Sequence, residues 1–327
     1  LFAYTGPLIA LTAINSFFTG LGRTTLMLAL NTIVCCLNAG LNYVLVFGKF
    51  GIPAQGVAGS GMATLIATSI TCGIAMAVFL SPENRRRYGT WRHARFDLER
   101  MRRFLRYSIP QGVRSFLEII TWTFFFFAVG RLGTAALAAN NIVISWNMLS
   151  FFPMIGLSQG IAVVVGQCIG AGHADIARTA THRGLLLQLG YALTIGIVVV
   201  VAPDLLMRPF ISPDQTIDRE LLMLGKQLLL VSAFWGIGDA FNLAYTGALN
   251  GAGDTRWQLF AMLTTSVLLM ALPIGAILIL SDGLWRPFGL HPAVVLWLTT
   301  LAFVYSLGLV MGWRFYGGKW QRMTVRE

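Results

Sequence analysis

Residues 259–280 read LFAMLTTSVLLMALPIGAILIL, and no charged side chain interrupts them from first to last. A helix needs about 20 predominantly apolar residues to cross the hydrocarbon of a bilayer, whereas a barrel strand needs about 9 to 11. A segment in lipid must also satisfy its own backbone N–H and C=O groups, so a run of this length reads as a helix. Working outward from it, eight further apolar blocks run over residues 4–20, 26–47, 57–80, 109–130, 137–169, 185–202, 221–249 and 293–313. Each is followed by a turn signal or a charge. The pattern predicts an all-α integral membrane protein with about nine transmembrane helices. The blocks at 137–169 and 221–249 exceed the bilayer minimum, which predicts tilt or extension beyond the membrane.

Composition points the same way. The 327 residues are 56% hydrophobic and 11% charged, against about 25% charged in an ordinary soluble domain. So few charges do not cover a water-facing surface, and a soluble enzyme is excluded. Cys35, Cys36, Cys72 and Cys168 all lie within apolar blocks and lack the spacing of a metal knuckle or a disulfide framework. His93, His173, His182 and His291 are scattered over connections, so no metal site and no cofactor is expected. The chain begins at Leu1, with nothing resembling a signal before the first block. That block carries Thr12, Asn15, Ser16 and Thr19, which suits a helix packed inside a larger bundle, so further helices upstream are expected.

The net charge of +11 could indicate a nucleic-acid partner, but its distribution argues for a membrane instead. With strict alternation of spans, seventeen of the twenty-four basic residues fall on one side. They include Arg23, nine arginines between Arg85 and Arg106, Arg178, Arg183, Arg256 and the C-terminal cluster. The positive-inside rule makes that side cytoplasmic. Residues 81–108 then form a basic cytoplasmic linker that fixes topology, with anionic-lipid binding as a second role for its arginines.

Gly20-Leu21-Gly22-Arg23-Thr24 ends the first block, and Gly251-Ala252-Gly253-Asp254-Thr255 ends the seventh, at a fixed offset of 231 residues. Each copy is followed by two more spans. The organisation expected is therefore three helices closing one lobe (1–80), the linker (81–108), a six-helix lobe (109–316) and a cytoplasmic tail (317–327). Two parallel-related bundles follow, the first incomplete, with substrate bound between the halves as in secondary transporters.

Two carboxylates stand inside the spans, where an acid costs on the order of 2.5 to 3.5 kcal/mol on insertion scales. Around Asp239, the residues Ser232, Trp235, Asn242 and Thr246 recur at helical spacing and make one polar stripe. Around Glu118, the residues Gln111, Arg114, Ser115 and Trp122 make a second. Asn140, Asn141, Ser145 and Asn147 add neutral donors and acceptors if their helix packs beside that of Glu118. The simpler reading pairs Glu118 with Arg114 one turn away, satisfies Asp239 by a neighbouring amide, and makes the asparagines interhelical glue. The functional reading makes Glu118 and Asp239 the coupling pair, with Gln111, Asn140, Asn141, Ser145, Trp235 and Asn242 around a substrate or ion cavity.

Several segments together resemble the multidrug and toxic compound extrusion (MATE) transporters, in their NorM-like branch. Pro110-Gln111-Gly112-Val113-Arg114-Ser115-Phe116-Leu117-Glu118 is similar to the family's pattern at its seventh helix. Leu137-Ala138-Ala139-Asn140-Asn141-Ile142 and Val165-Gly166-Gln167-Cys168-Ile169-Gly170-Ala171-Gly172 resemble the start and end of its eighth. Asp239 before Gly247 and the Gly251–Thr255 turn resembles its tenth, and Gly20 through Thr24, Asn38, Asn42 and Gly48 through Thr64 resemble helices four to six. The resemblance implies helices 4 to 12 of 12. It implies an antiporter that exports cationic or amphipathic drugs or toxins against inward sodium or protons, with Glu118 and Asp239 in the coupling-ion site. The same reading gives a multi-pass inner-membrane protein, monomeric, with linker and C-terminus cytoplasmic and no nucleic-acid partner. Two positions depart from the family: Arg114 stands where a small or apolar residue is usual, and Trp235 where some sodium-coupled members place a tyrosine. A lipid-linked oligosaccharide flippase of the same superfamily is the alternative, and it calls for several arginines in the cavity.

Overall fold

The computed structural model describes residues 4–90, 97–210, 219–279 and 289–322. The described part is helical, with no strand among the described residues. In chain order the helices are α1 (Thr5–Gly20), α2 (Thr24–Phe47), α3 (Gly56–Phe79), α4 (Pro82–Tyr88), α5 (Leu98–Arg131), α6 (Thr134–Gly170), α7 (Ala174–Val201) and α8 (Pro203–Met207). They continue with α9 (Arg219–Gly251), α10 (Thr255–Ser266), α11 (Leu272–Ile279) and α12 (Pro292–Tyr316). A π-helical turn, Val267–Ala271, joins α10 to α11, so the eighth apolar block forms one membrane-length rod with an irregular middle. Each of the nine blocks thus becomes a helix. Eight of the described helices are long and apolar enough to cross a bilayer by length and composition, and α1, at 16 residues, falls short of that measure.

The chain divides into two compact units, residues 1–101 and 102–327. The division falls inside the segment read as a linker, because much of that segment is helical. Pro82–Tyr88 forms one short helix. Asp97 starts the next: its Oδ1 accepts from the backbone N–H groups of Glu99 (3.1 Å) and Arg100 (3.2 Å), which satisfies donors that a helix start leaves orphaned. At about 1.5 Å per residue, the 34 residues of α5 outrun a hydrocarbon layer about 30 Å thick. The C-terminal segment is pinned too: Trp320 stacks on Phe315 at 4.8 Å and its Nε1 donates to the Phe315 carbonyl at 2.6 Å.

In the first unit α3 packs against α1 and α2. Phe17, Phe18 and Phe79 meet edge to face around a small apolar core of Leu11, Ile14, Met27, Leu30 and Ala75. In the second unit α9 is the central post, flanked by α6, α7 and α12. Lipid tails are as apolar as a leucine, so helices in a membrane are held by close packing of small residues. Gly247 and Gly251 of α9 lie against Ser158 and Ala162 of α6, where an added Cβ would run into backbone carbonyl oxygens. Ser158 Oγ crosses that seam to donate to the Leu243 carbonyl at 2.7 Å. On another face of α9, Gly308 and Gly312 of α12 sit against Asn242 and Tyr245. α5 runs close alongside none of these helices and reaches its neighbours through large side chains, Trp122 to Trp235 and Phe125 to Trp297.

The Gly-x-Gly turn that suggested a repeat is found after α1 and α9 and again after α6, and α2 closes in the same way on Gly48 (φ 68°). After α1, α6 and α9 the chain passes through a left-handed glycine: Gly22 (φ 73°), Gly172 (φ 82°) or Gly253 (φ 80°). The N–H of the next residue, Arg23, His173 or Asp254, then donates to a carbonyl of the last helical turn at 2.8 to 3.0 Å. That is the Schellman close of a helix, in which only glycine takes the positive φ without strain.

Candidate functional site

The stripe on α9 becomes a directed ladder of hydrogen bonds. Thr246 Oγ1 donates to Asn242 Oδ1 (3.3 Å), and Asn242 Nδ2 donates to Asp239 Oδ1 (3.2 Å). All three side chains are buried, Asp239 to 3% exposure. The ladder ends on a carboxylate whose second oxygen, Oδ2, has no partner. Ser232, the stripe's other end, instead bonds back to the Leu229 carbonyl at 2.8 Å.

α5 brings its own polar face to this place. The indole of Trp122 packs edge to face on that of Trp235 at 6.1 Å, and Phe151 of α6 closes on Trp235 at 6.3 Å. Trp122 is one turn beyond Glu118, and Trp235 one turn before Asp239, so this contact sets the two stripes against each other. Glu118 and Arg114 of α5 therefore lie near Asp239 of α9. The direct ion pair that the one-turn spacing of Arg114 and Glu118 allows is not formed: among the described residues neither side chain enters a salt bridge. Arg114 is buried with its Nε unpartnered, as are Trp235 Nε1 and the half-buried Gln111 Oε1. A buried polar atom without a partner costs about 1 to 3 kcal/mol. Four of them lie on these two facing stripes, in a buried polar zone, the α5–α9 bay, whose hydrogen bonds are unmet.

The asparagines of α6 divide. Asn140 is fully buried; its Oδ1 accepts from Trp297 Nε1 of α12 at 3.1 Å, and its Nδ2 has no partner. Asn141 and Ser145 lie on an exposed face of α6, Ser145 Oγ donating to the Asn141 carbonyl at 2.8 Å, and they do not join the bay. Asn147 lines a separate small cavity of about 30 Å³ with Ser150, Tyr191 and Ser232, between α6, α7 and α9. That is room for a water molecule. The close neighbours of α6 are α9 and α7, not α5, which is why the expected joining of its polar row to that of Glu118 does not occur.

Trp122, Phe125 and Trp297 form a continuous edge-to-face series that ties α5 to α12 behind the bay. Trp297 was not legible as a site residue. The available signal was chemical: a buried indole N–H needs an acceptor, and Asn140 offers an amide oxygen inside an apolar block. Among the described residues no three His, Cys, Asp or Glu side chains gather as a metal centre would require.

The MatE family profile matches residues 110–277, the stretch that carries both stripes. A probable multidrug resistance protein NorM from Mesorhizobium japonicum is 30% identical over 252 residues, covering 76% of this chain and 54% of the relative. The multidrug resistance protein NorM of Burkholderia vietnamiensis is 29% identical over 96% of this chain and 66% of its own length. The chain thus spans between about half and two thirds of the curated relatives it matches. A crystal structure of a MATE protein in the bent conformation superposes with a TM-score of 0.79 at 15% identity, over 98% of this chain and 68% of that one.

Proposed function

Because this chain belongs to the MatE family, we propose that it works in a secondary active antiporter, exporting cationic or amphipathic small molecules in exchange for inward-moving sodium or protons. The names of its NorM relatives, multidrug resistance proteins, support that substrate class. The observation that carries the reading is Asp239, a buried acid in mid-span with one oxygen held by a polar ladder and the other buried without a partner. A ligand moves a two-state equilibrium only if it binds the states unequally. A carboxylate that gains a proton or a cation in one state and sheds it in the other supplies that difference, and alternating access follows from it. Glu118 shares the bay and adds to its negative charge.

In this reading the protein acts as a monomer in the plasma membrane, with residues 81–108 and the C-terminus on the cytoplasmic side by the positive-inside rule. The flippase alternative has less support: among the described residues Arg114 is the only buried basic side chain. The test is the substitution Asp239→Asn, which keeps shape and removes the charge. Efflux of a fluorescent organic cation from energised cells is expected to fall to background while membrane insertion stays normal. Undiminished efflux by that variant removes Asp239 from the mechanism.

A further inference from the structure

The bay between α5 and α9 already contains a cation. Arg114 is buried, a turn from Glu118 on α5, and within electrostatic reach of Asp239 on α9. A guanidinium is effectively always charged and presents only donors. The unpartnered buried atoms of the two stripes are two acceptors, Asp239 Oδ2 and Gln111 Oε1, and two donors, Arg114 Nε and Trp235 Nε1.

A hard metal cation such as sodium takes oxygen ligands. Placed here it would meet the two acceptors and the carboxylate of Glu118, but it would leave both donors facing nothing and add positive charge beside a guanidinium. The amide next to the acid presents donors to it: Asn242 turns its NH2 toward Asp239, while its oxygen accepts from Thr246 on the far side. What stands against sodium here is therefore not a shortage of oxygen but the buried guanidinium, which already supplies positive charge beside the two acids. The residues present fit a bay whose counter-cation is carried by the protein itself.

We propose that Arg114 is a specificity-determining residue: buried near Glu118 and Asp239, it takes the place of an alkali cation in the α5–α9 bay and excludes sodium from it. The proposal rests on the antiporter reading for its meaning, but not for its test. At an effective dielectric of about 20, two like unit charges about 6 Å apart weaken binding about a hundredfold. Removing the guanidinium charge from the bay is thus expected to raise sodium affinity at least about tenfold.

Trp122 and Trp235 wall the bay and provide the readout. Purified protein in detergent is titrated with sodium chloride against choline chloride at constant ionic strength, following tryptophan fluorescence. The unaltered protein and Arg114→Lys, which keeps the charge, are expected to show no sodium-specific change. Arg114→Met and Arg114→Gln keep much of the side chain's reach and lose the charge. At least one of them, with its thermal unfolding still cooperative, is expected to gain a saturable sodium response that Asp239→Asn abolishes. A saturable response in the unaltered protein that Asp239→Asn removes overturns the proposal, and so does the absence of any gain in both neutral variants. Loss of drug efflux under every gradient would instead count against the antiporter reading and leave the titration unaffected.

Discussion

Asn140 shows how a single buried amide can be held for a partner far away in the chain. Its oxygen takes the Trp297 N–H at 3.1 Å, across 157 residues of sequence. Neither group has exposed surface of consequence, so neither has water to fall back on. Asn140→Ala is therefore expected to destabilise the protein by about 1 to 3 kcal/mol, the cost of stranding a buried donor. Trp297→Phe removes that donor, so the double variant should lose less than the two single losses added together, as thermal unfolding in detergent would reveal. Strict additivity would show that the bond contributes nothing. The acids and the α9 stripe were readable from the sequence because an intramembrane carboxylate with helical-period polar neighbours is costly and local. The Asn140–Trp297 bond was not, since no local period joins residues on two different helices. Arg114 was readable as an oddity, but whether it pairs with Glu118 one turn away on α5 is a choice of side-chain rotamer that spacing alone does not fix.

At the scale of the helices, the sequence indicates where they are better than what they touch. The nine apolar blocks agree with the observed helices to within a few residues at most ends, because lipid forbids the alternatives. The exceptions have a physical cause. The start of α5 lies eleven residues before its apolar block, where Arg100, Arg102, Arg103 and Arg106 hide a helix that Asp97 caps. α7 likewise begins at Ala174, ahead of its block, in a polar first half. Contacts are set by small residues, which carry no hydropathy signal. Gly247 and Gly251 make a small-xxx-small face on α9 that meets Ser158, Ala162 and Gly166 on α6. Gly251→Val must push α6 and α9 apart or distort one of them. Overpacking of this kind costs about 1 to 3 kcal/mol and here falls on the central post of the unit. The expected outcome is a lower melting temperature and poor yield in detergent, whereas Gly190→Val, at a glycine with open space around it, should be nearly neutral. Equal loss from both would refute the view that this seam is close-packed.

Across the whole chain the repeat extends further than the glycine turns. In the first unit Arg23, just after the left-handed Gly22, approaches Glu83 at 3.6 Å and donates to Asn84 Oδ1 at 3.3 Å. In the second unit Asp254, just after Gly253, pairs with Arg314 at 2.6 Å. Both partners are displaced by the same 231 residues, so each unit ties the start of a helix to a residue at the same offset, Glu83 in the first turn of α4 and Arg314 in the last turn of α12, with the charges exchanged. The copies are not equal in energy. The first is exposed, its carboxylate at 75%, and an exposed pair contributes about 0 to 1 kcal/mol at most. The second is enclosed, at 4% for Asp254, and Arg314 also lies over the Trp257 ring at 4.9 Å. Removing one member of a buried pair strands the other charge and costs about 3 to 5 kcal/mol. Asp254→Asn and Arg314→Gln are each expected to lower thermal stability sharply, while Glu83→Gln should hardly move it. Because the first unit tolerates the opposite polarity in this arrangement, the exchanged double variant, Asp254→Arg with Arg314→Asp, should recover part of what either exchange alone loses. It should not recover all, since the cation would no longer cover Trp257. A double variant no more stable than the worse single exchange would mean that the shared offset reflects a common turn only, without a shared interaction between helices.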